Sequence, residues 1–380
     1  MLALVVSQSV GRLATFDGTA HTPSKIALCT DSGGMRIIRA GAKKAEVWKA
    51  TGQSYSNPSW SPDGKSITFC ARYGDSNNAV WVADEHGRNR RAITKGLAFA
   101  YAPSWTPDGK NIIYDEGGLK AYNLATSLVS QLATDGRYSW SPDGKFLAVL
   151  RANPKLKNAR ANFERGDFPP NDIWLLDSRL QSVRRLTSDS WYSDVNWLSA
   201  TTLVTSRVTT KKFDGDGYHL DWYKVSIQTS KRIRLPTTGM VHYTCFSPDG
   251  RFIAEIDEPA LYVRDLRSGR RRLIDKNIYP YNLAWSLDGR WLYFDKQSSK
   301  PRHRYAETQR VWRANTQTWK IEQLSRQPEM YDCFLYEPGY GTVIYRSDKS
   351  ELCLTNSKHR ELRLTSVPNF DDGAVYWGRK

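Results

Sequence analysis

The chain has 380 residues, a formal charge of +16 and a 40% hydrophobic content that includes 14 Trp and 20 Tyr. That apolar and aromatic mass suffices for one large core, and the length leaves no room for a second sizeable domain beside it. The opening Met1-Leu-Ala-Leu-Val-Val6 is apolar too briefly, and lacks the basic start, to be a signal peptide or a membrane span. The chain as written is expected in the cytoplasm, or in the periplasm if a leader has been trimmed.

Residues 1–22 read as a lead-in segment and 23–380 as a single domain built from a repeat. The first unit holds three strand-like runs, Ile26–Cys29, Met35–Arg39 and Ala45–Lys49. Then comes Trp60-Ser-Pro-Asp-Gly-Lys65, and its core returns at Thr106–Gly109, Ser141–Gly144, Ser247–Gly250 and Ser286–Gly289, with Leu287 for Pro. Proline presets φ, Asp tolerates the bridge region and Gly supplies positive φ, so each copy predicts a tight turn between antiparallel strands.

Short β-branched or aromatic runs follow each turn: Ser66–Cys70, Asn111–Tyr114, Phe146–Leu150 and Arg251–Ile256. A second run comes after each, at Ala79–Ala83, Leu119–Leu124, Asp172–Leu176 and Ala260–Asp265. A third ends in a Leu/Ile-Thr type signature, as at Ala92-Ile-Thr94, Arg185-Leu-Thr187 and Glu361-Leu-Arg-Leu-Thr365. With the strand before the turn, that makes four strands per unit, and no stretch shows a sustained helical period. Anchor aromatics fall at Trp60, Trp105, Trp140, Trp197, Phe246, Trp285 and Tyr336; Ser193–Leu203 and Tyr336–Gly341 are worn copies.

The first unit lacks an anchor strand, while Asn369–Trp377 resembles an anchor strand with no unit behind it. Each supplies what the other lacks. The expectation is an all-β protein, a single β-propeller of four-stranded antiparallel blades, eight in number or seven if one worn copy is not a full blade. The C-terminal strand pairing with the N-terminal blade would close it and remove open edges.

The Trp-Ser-Pro-Asp-Gly-Lys repeats, with Val80-Trp-Val-Ala-Asp84 and Arg185-Leu-Thr187 downstream, resemble the TolB-type propeller repeat over about 50–380. Related repeats occur in the propellers of prolyl oligopeptidases and oligogalacturonate lyases. The resemblance implies a propeller and a binding or scaffold role of TolB type. Its motif is made of turn and core residues, which carry fold rather than chemistry.

Tyrosines stand near the start of the anchor strands, at Tyr55, Tyr101, Tyr138, Tyr192, Tyr243, Tyr281 and Tyr331, with His242 beside Tyr243. They are expected either to ring a channel mouth or to pack between blades. Three long loops open on the same face. They bring Arg151, Lys155, Lys157 and Arg160; Lys211 and Lys212; and Lys300, Arg302 and Arg304 as a basic rim, interspersed with acids. Tyrosines offer stacking area and Lys/Arg attract anions, so the partner expected is a protein segment or an anionic polymer: an acidic peptide, an anionic glycan or single-stranded nucleic acid.

No Gly-x-Ser-x-Gly elbow, zinc spacing or pair of metal-spaced histidines is present, so no catalytic residue, metal or cofactor is expected. The five Cys are expected as free thiols. Asp214-Gly-Asp-Gly217 with Asp221 has carboxylates spaced as in a Ca²⁺ loop but lacks the distal bidentate Glu, and reads as a Gly-rich hairpin loop. The function expected is non-enzymatic binding. The alternatives are a carbohydrate-active lyase or hydrolase centred on His242 and channel carboxylates such as Asp194, and a nucleic-acid-binding propeller.

Overall fold

The computed structural model describes residues 24–30, 33–39, 45–50, 54–73, 77–95, 101–153, 155–156, 170–208, 220–236, 243–257, 260–276, 283–286, 288–297, 309–324, 342–346, 351–356, 361–366 and 370–376. The repeated turn organises them. In Ser61-Pro-Asp-Gly64 the Ser61 hydroxyl donates to Asp63 Oδ1 (2.6 Å), which also accepts Lys65 N–H (3.0 Å), while Gly64 N–H returns to Ser61 O (2.8 Å). Ser66 N–H then donates to Ser61 Oγ (2.9 Å), starting the next strand.

The same hydroxyl, carboxylate and backbone bonds recur at Thr106, Ser141, Ser247 and Ser286. All five closing glycines have φ between 64° and 71°, where a side chain is strained. Leu287 replaces Pro without loss of the pattern, so the Ser/Thr and Asp hold the turn and Pro only presets it.

The turns join short strands. β1 (Lys25–Thr30), β2 (Met35–Arg39) and β3 (Glu46–Trp48) come first. The second sheet is β4 (Ser54–Trp60), β5 (Ser66–Tyr73), β6 (Asn77–Asp84) and β7 (Arg91–Ala92); the third is β8 (Tyr101–Trp105), β9 (Asn111–Asp115), β10 (Leu119–Asn123) and β11 (Val129–Gln131). The fourth is β12 (Tyr138–Trp140), β13 (Phe146–Ala152), β14 (Asn171–Asp177) and β15 (Ser182–Arg185). The fifth is β16 (Asn196–Ser199), β17 (Thr202–Val208), β18 (Leu220–Ser226) and β19 (Arg232–Arg234), built on the first worn copy.

The sixth sheet is β20 (Tyr243–Phe246), β21 (Phe252–Asp257), β22 (Ala260–Asp265) and β23 (Arg271–Asp275). The seventh is β24 (Leu283–Trp285), β25 (Trp291–Gln297), β26 (Gln309–Asn315) and β27 (Ile321–Gln323). β28 (Thr342–Arg346), β29 (Glu351–Asn356) and β30 (Glu361–Ser366) form a three-stranded sheet; the second worn copy lies outside the described residues.

β31 (Phe370–Tyr376) pairs antiparallel with β1, from Lys25↔Tyr376 to Cys29↔Asp372, and completes a four-stranded sheet β3-β2-β1-β31. Among the described residues there are seven four-stranded antiparallel sheets and one of three strands, with no α-helix. Among the described residues, none forms a helix long and apolar enough to cross a membrane.

Contacts divide the chain into two compact units, one built on Thr106–Met240 and the other on Phe16–Trp105 with Val241–Lys380, the cut falling at the Trp105–Thr106 turn. In the first unit, Leu147, Val149 and Leu176 pack with Ile113 and Trp140, and Ala148, Leu150 and Leu175 pack with Leu203 and Val225. In the second, Ile37, Trp48, Trp60, Ile67 and Phe69 form one cluster, and Val263, Trp285, Leu292 and Phe294 another. Anchor indoles stitch neighbouring sheets within each unit. Trp197 Nε1 donates to Ser139 O (2.8 Å), Trp105 Nε1 to Ser59 O (3.0 Å) and Trp285 Nε1 to Cys245 O (2.9 Å). The acceptor is each time the residue before the previous anchor aromatic. Cys29, Cys70 and Cys245 are free thiols.

Candidate functional site

The densest polar construction among the described residues lies in the Thr106–Met240 unit, at the end where β14 and β16 begin. Its centre is Asp172, which is 1% exposed. Arg185 Nη2 donates to it (2.5 Å), as do Thr187 Oγ1 (3.2 Å), Ser190 N–H (3.1 Å) and Ser190 Oγ (3.0 Å). Thr187 comes from the Leu-Thr signature. Its hydroxyl also accepts Ile173 N–H (2.9 Å), as Thr94 accepts Val80 N–H (2.9 Å) in the second sheet. The signature threonine thus caps the outer strand, and here it also serves a buried carboxylate.

Asp172 fixes a strained segment. Ser190 and Trp191 both have positive φ, 57° and 73°, in the left-handed region that a bulky residue avoids. The bonds that hold them are many. Tyr192 N–H donates to Asn171 O (3.1 Å), Val208 N–H to Trp191 O (2.9 Å), and Arg207 reaches both Ser190 O (3.0 Å) and Asp189 O (3.2 Å). Asn153 Nδ2 donates to Ser190 Oγ (3.0 Å).

Asp189 is held in turn. Arg232 donates to both its oxygens (2.7 and 2.6 Å), Tyr192 OH to one (2.9 Å), and Arg207 lies at 3.4 Å. Burial would raise the Asp189 carboxyl, but the Arg232 and Tyr192 hydrogen bonds and the Arg207 charge outweigh it and hold it below the usual range. Burial, reinforced by the Asp189 charge, pushes the Tyr192 phenol well up, so it stays a donor.

A second cluster sits at the start of β12. Arg137 grips Asp135 through Nε (2.8 Å) and Nη2 (2.6 Å), Asn171 Nδ2 donates to Asp135 (2.9 Å), and Arg137 Nη1 donates to Ser193 O. Burial opposes ionisation of Asp135, yet the Arg137 fork keeps its carboxyl low. Asp194, just before β16, behaves oppositely. The residue keeps some exposed surface, but its carboxyl is enclosed, and burial raises it despite Val195 N–H, the Arg137 charge and Asn196.

The sequence-derived site residues fall unevenly. In the Phe16–Trp105 with Val241–Lys380 unit, Tyr55 is buried against Phe69 (centroids 4.6 Å apart), its hydroxyl on Lys49 O (3.3 Å), while Tyr101 is 45% exposed. Tyr138 and Tyr192, in the other unit, are buried in hydrophobic clusters. For Tyr55, Tyr138 and Tyr192, burial among core side chains corresponds to the packing alternative. Tyr243 lies in β20, and Tyr281, Tyr331 and His242 lie outside the described residues.

Of the basic rim, Arg151 is half-buried, donating to Leu132 O (2.7 Å) and Ser182 Oγ (2.9 Å) and lying 5.1 Å from the Trp174 ring centroid. Lys155 is exposed. Lys157, Arg160, Lys211, Lys212, Lys300, Arg302 and Arg304 lie outside the described residues, as does Asp214-Gly-Asp-Gly217. Asp221, the last carboxylate of that motif, is paired with Arg234 (2.6 Å). Among the described residues no three His, Cys, Asp or Glu side chains gather to hold a metal. Sequence reasoning missed Trp191, Asp172, Asp135 and Arg137. Asp172 carried the one usable signal, its place opening a strand beside the Leu-Thr signature.

No protein-family model matches the chain, and no curated protein matches it by sequence. Solved structures do resemble it. A dihydro-heme d1 dehydrogenase, NirN, in complex with DHE superposes with a TM-score of 0.63 at 15% identity, over 97% of this chain and 79% of that one. Dipeptidyl peptidase 4 of Porphyromonas gingivalis gives 0.59 at 14% identity over 91% of this chain, which spans 60% of that enzyme. An oligogalacturonate lyase in complex with manganese gives 0.51 at 12% identity, over 90% of this chain and 98% of that one. TolB of Acinetobacter baumannii gives only 0.36, too loose a likeness to carry an inference. At these identities the similarity concerns fold alone, and together with the repeated four-stranded sheets it supports a β-propeller.

Proposed function

We propose that residues 23–380 form one TolB-like propeller of eight blades, closed by β31 on β1, that acts as a non-enzymatic binding or scaffold module. It would hold a protein segment or an anionic polymer on the face where β14 and β16 begin. The observation that carries this reading is the Ser190–Trp191 segment, kept in an unfavourable conformation by bonds from Asp172, Arg207, Val208 and Tyr192. Strain maintained by so many partners pre-organises a surface, and pre-organisation lowers the ordering cost of binding. Asp135, Asp172 and Asp189 are each engaged by arginine, an arrangement suited to holding loops rather than to moving protons.

In this proposal Trp191 offers contact area on that face, and Tyr101, Tyr243, Tyr281, Tyr331 and His242 are proposed as further aromatic contacts. Lys155, Lys157, Arg160, Lys211, Lys212, Lys300, Arg302 and Arg304 supply the positive rim. Tyr55, Tyr138, Tyr192 and Arg151 act through packing. A thermal-shift panel of acidic and basic peptides, anionic and neutral oligosaccharides and single-stranded DNA, at low and moderate salt, tests it. The expected result is stabilisation by an anionic ligand that salt weakens and Trp191→Ala abolishes. If Trp191→Ala binds that ligand as the parent does, the face is not the site.

A second reading, acid–base chemistry, has one observation in its favour: the enclosed Asp194 carboxyl, which favours its protonated form. Turnover of any panel oligosaccharide that Asp194→Asn or His242→Ala abolishes would replace the binding reading with this one.

A further inference from the structure

The outer edge of the sixth sheet gathers more exposed arginines without a described counter-charge than β15 or β19, where Arg184 and, just before β19, Lys231 are the basic residues that pair with no described carboxylate. On β19, Arg232 and Arg234 pair with Asp189 and Asp221, and on β15 Arg185 pairs with Asp172. On β27, Glu322 pairs with Arg313. The β22–β23 hairpin carries Arg264, Arg267, Arg270, Arg271 and Arg272. Arg264 and Arg271 both bind the buried Glu255, and Arg271 also binds Asp257. Arg267, Arg270 and Arg272 are exposed, and no described carboxylate lies within ion-pair distance of them. Like charges gathered without counter-charge repel one another, and a carboxylate-bearing partner would relieve that.

The backbone at this edge is open as well. β23 is the last strand of its sheet. Arg270 turns its carbonyl inward to Asp265 N–H (2.9 Å). Opposed residues of an antiparallel ladder alternate between bonded and non-bonded pairs. The pairs Arg264↔Arg271 and Tyr262↔Leu273 are therefore the non-bonded ones, and the N–H and C=O groups of Arg271 and Leu273 point off the sheet. Leu273 is 40% exposed on the same edge.

From these features we infer that β23 accepts an extended acidic peptide strand from a partner protein, by strand addition to the sheet. Arg270 and Arg272 are two residues apart, about 7 Å along a strand, which is also the spacing of alternate side chains in any strand that pairs with it. A partner with Glu or Asp at alternate positions sets its carboxylates opposite both guanidinium groups while its backbone meets the outward groups of Arg271 and Leu273. Its apolar positions between them fit Leu273. A nucleic acid would satisfy the guanidinium groups but offers no ladder to the open backbone and no side chain to Leu273. β23 belongs to the Phe16–Trp105 with Val241–Lys380 unit, and β14 and β16 to the other.

The probes are three: a capped peptide of alternating Glu and Val, the same peptide N-methylated at alternate residues, and oligothymidylate, each titrated against the full-length protein by fluorescence anisotropy. The alternating peptide is expected to bind, the N-methylated one at least ~10-fold more weakly, because it cannot complete a ladder. Arg270→Glu/Arg272→Glu should weaken the alternating peptide by a similar factor or more, with an unchanged far-UV spectrum and melting temperature. Should that pair unfold, Arg270→Gln/Arg272→Gln takes its place. No binding of the alternating peptide overturns the inference. So does equal binding of the two peptides, binding unchanged in the double variant, or oligothymidylate binding tighter than the peptide.

Discussion

Asp172→Ala tests how the candidate face is held, and its cost can be worked from the bonds present. The substitution strips the acceptor from Ser190 N–H, Ser190 Oγ and Thr187 Oγ1, in a region where Asp172 is 1% and Thr187 5% exposed. A buried donor left without a partner costs about 1–3 kcal/mol, so three donors set an upper range near ~3–9 kcal/mol. Arg185 is 30% exposed and can turn to water, which removes most of its share. Release of the positive φ at Ser190 and Trp191 returns of order 1–3 kcal/mol for each residue. The expected net loss, donor penalty less released strain, is about 1–3 kcal/mol.

Urea unfolding followed by both tryptophan fluorescence and far-UV circular dichroism measures it, with coincidence of the two probes checking that one transition is observed. A loss below about 1 kcal/mol would refute the bond accounting. A double-mutant cycle with Ser190→Ala is a sharper check: coupling of about 1–3 kcal/mol is expected, and strict additivity would mean that Asp172 does not hold the strained segment.

Two carboxylates beside Arg137 should respond to pH in opposite directions. Asp135 sits below its unfolded value, so its contribution is present above about pH 4 and is lost as pH falls; Asp135→Asn should destabilise at pH 7, the gap closing in acid. Asp194 sits above its unfolded value, so the folded state holds that proton longer and loses stability as pH rises through the folded pKa; Asp194→Asn should raise the melting temperature at pH 7, with no gain below about pH 4. A shared sign in melting curves taken across pH would contradict both assignments. Trp105→Phe, Trp197→Phe and Trp285→Phe each remove an indole–carbonyl bond and should each cost about 1 kcal/mol more than Trp60→Phe, whose buried Nε1 has no acceptor among the described residues. Gly289→Ala isolates turn strain, since its added methyl meets only Pro248 at 4.0 Å while φ stays at 68°; chemical denaturation should show a loss of about 1 kcal/mol.

The architecture was legible because its information is local. The bonds that shape the turn, from Ser61 and Asp63 to Gly64 N–H, Lys65 N–H and Ser66 N–H, span at most five positions, so the turn works in any unit that repeats it. The anchor strand missing from the first unit was legible for a related reason. β1 needs a partner on its inner edge, and Asn369–Trp377 was a strand-like run with no unit behind it; the Lys25↔Tyr376 register joins them. The worn copy at Trp197 kept its indole bond to Ser139 O after losing its turn sequence, so an anchor aromatic identified it when Pro-Asp-Gly could not.

The candidate face was much less legible, because its bonds are long-range and its residue types are ordinary. Asp189 is bound by Arg207 and Arg232, and Asp135 by Asn171, across separations that no spacing rule covers. For Tyr55, Tyr138 and Tyr192 the sequence left both channel mouth and packing open, since strand alternation sends a ring either into the core or out of it, and only the residues packed around it decide which. Positive φ at Trp191 has no sequence signature at all: glycine would advertise it, and tryptophan conceals it. The charge count by itself locates no site. A +16 chain suggests a diffusely basic surface, yet Arg137, Arg185, Arg232 and Arg264 are consumed by carboxylates inside their own sheets or the loops between them. The charge left for a partner is then set by which guanidinium groups the fold leaves uncompensated. On the described surface those of the β22–β23 hairpin stand together, and this is why its edge, rather than the sum of all Lys and Arg, is where salt-sensitive binding should be sought first.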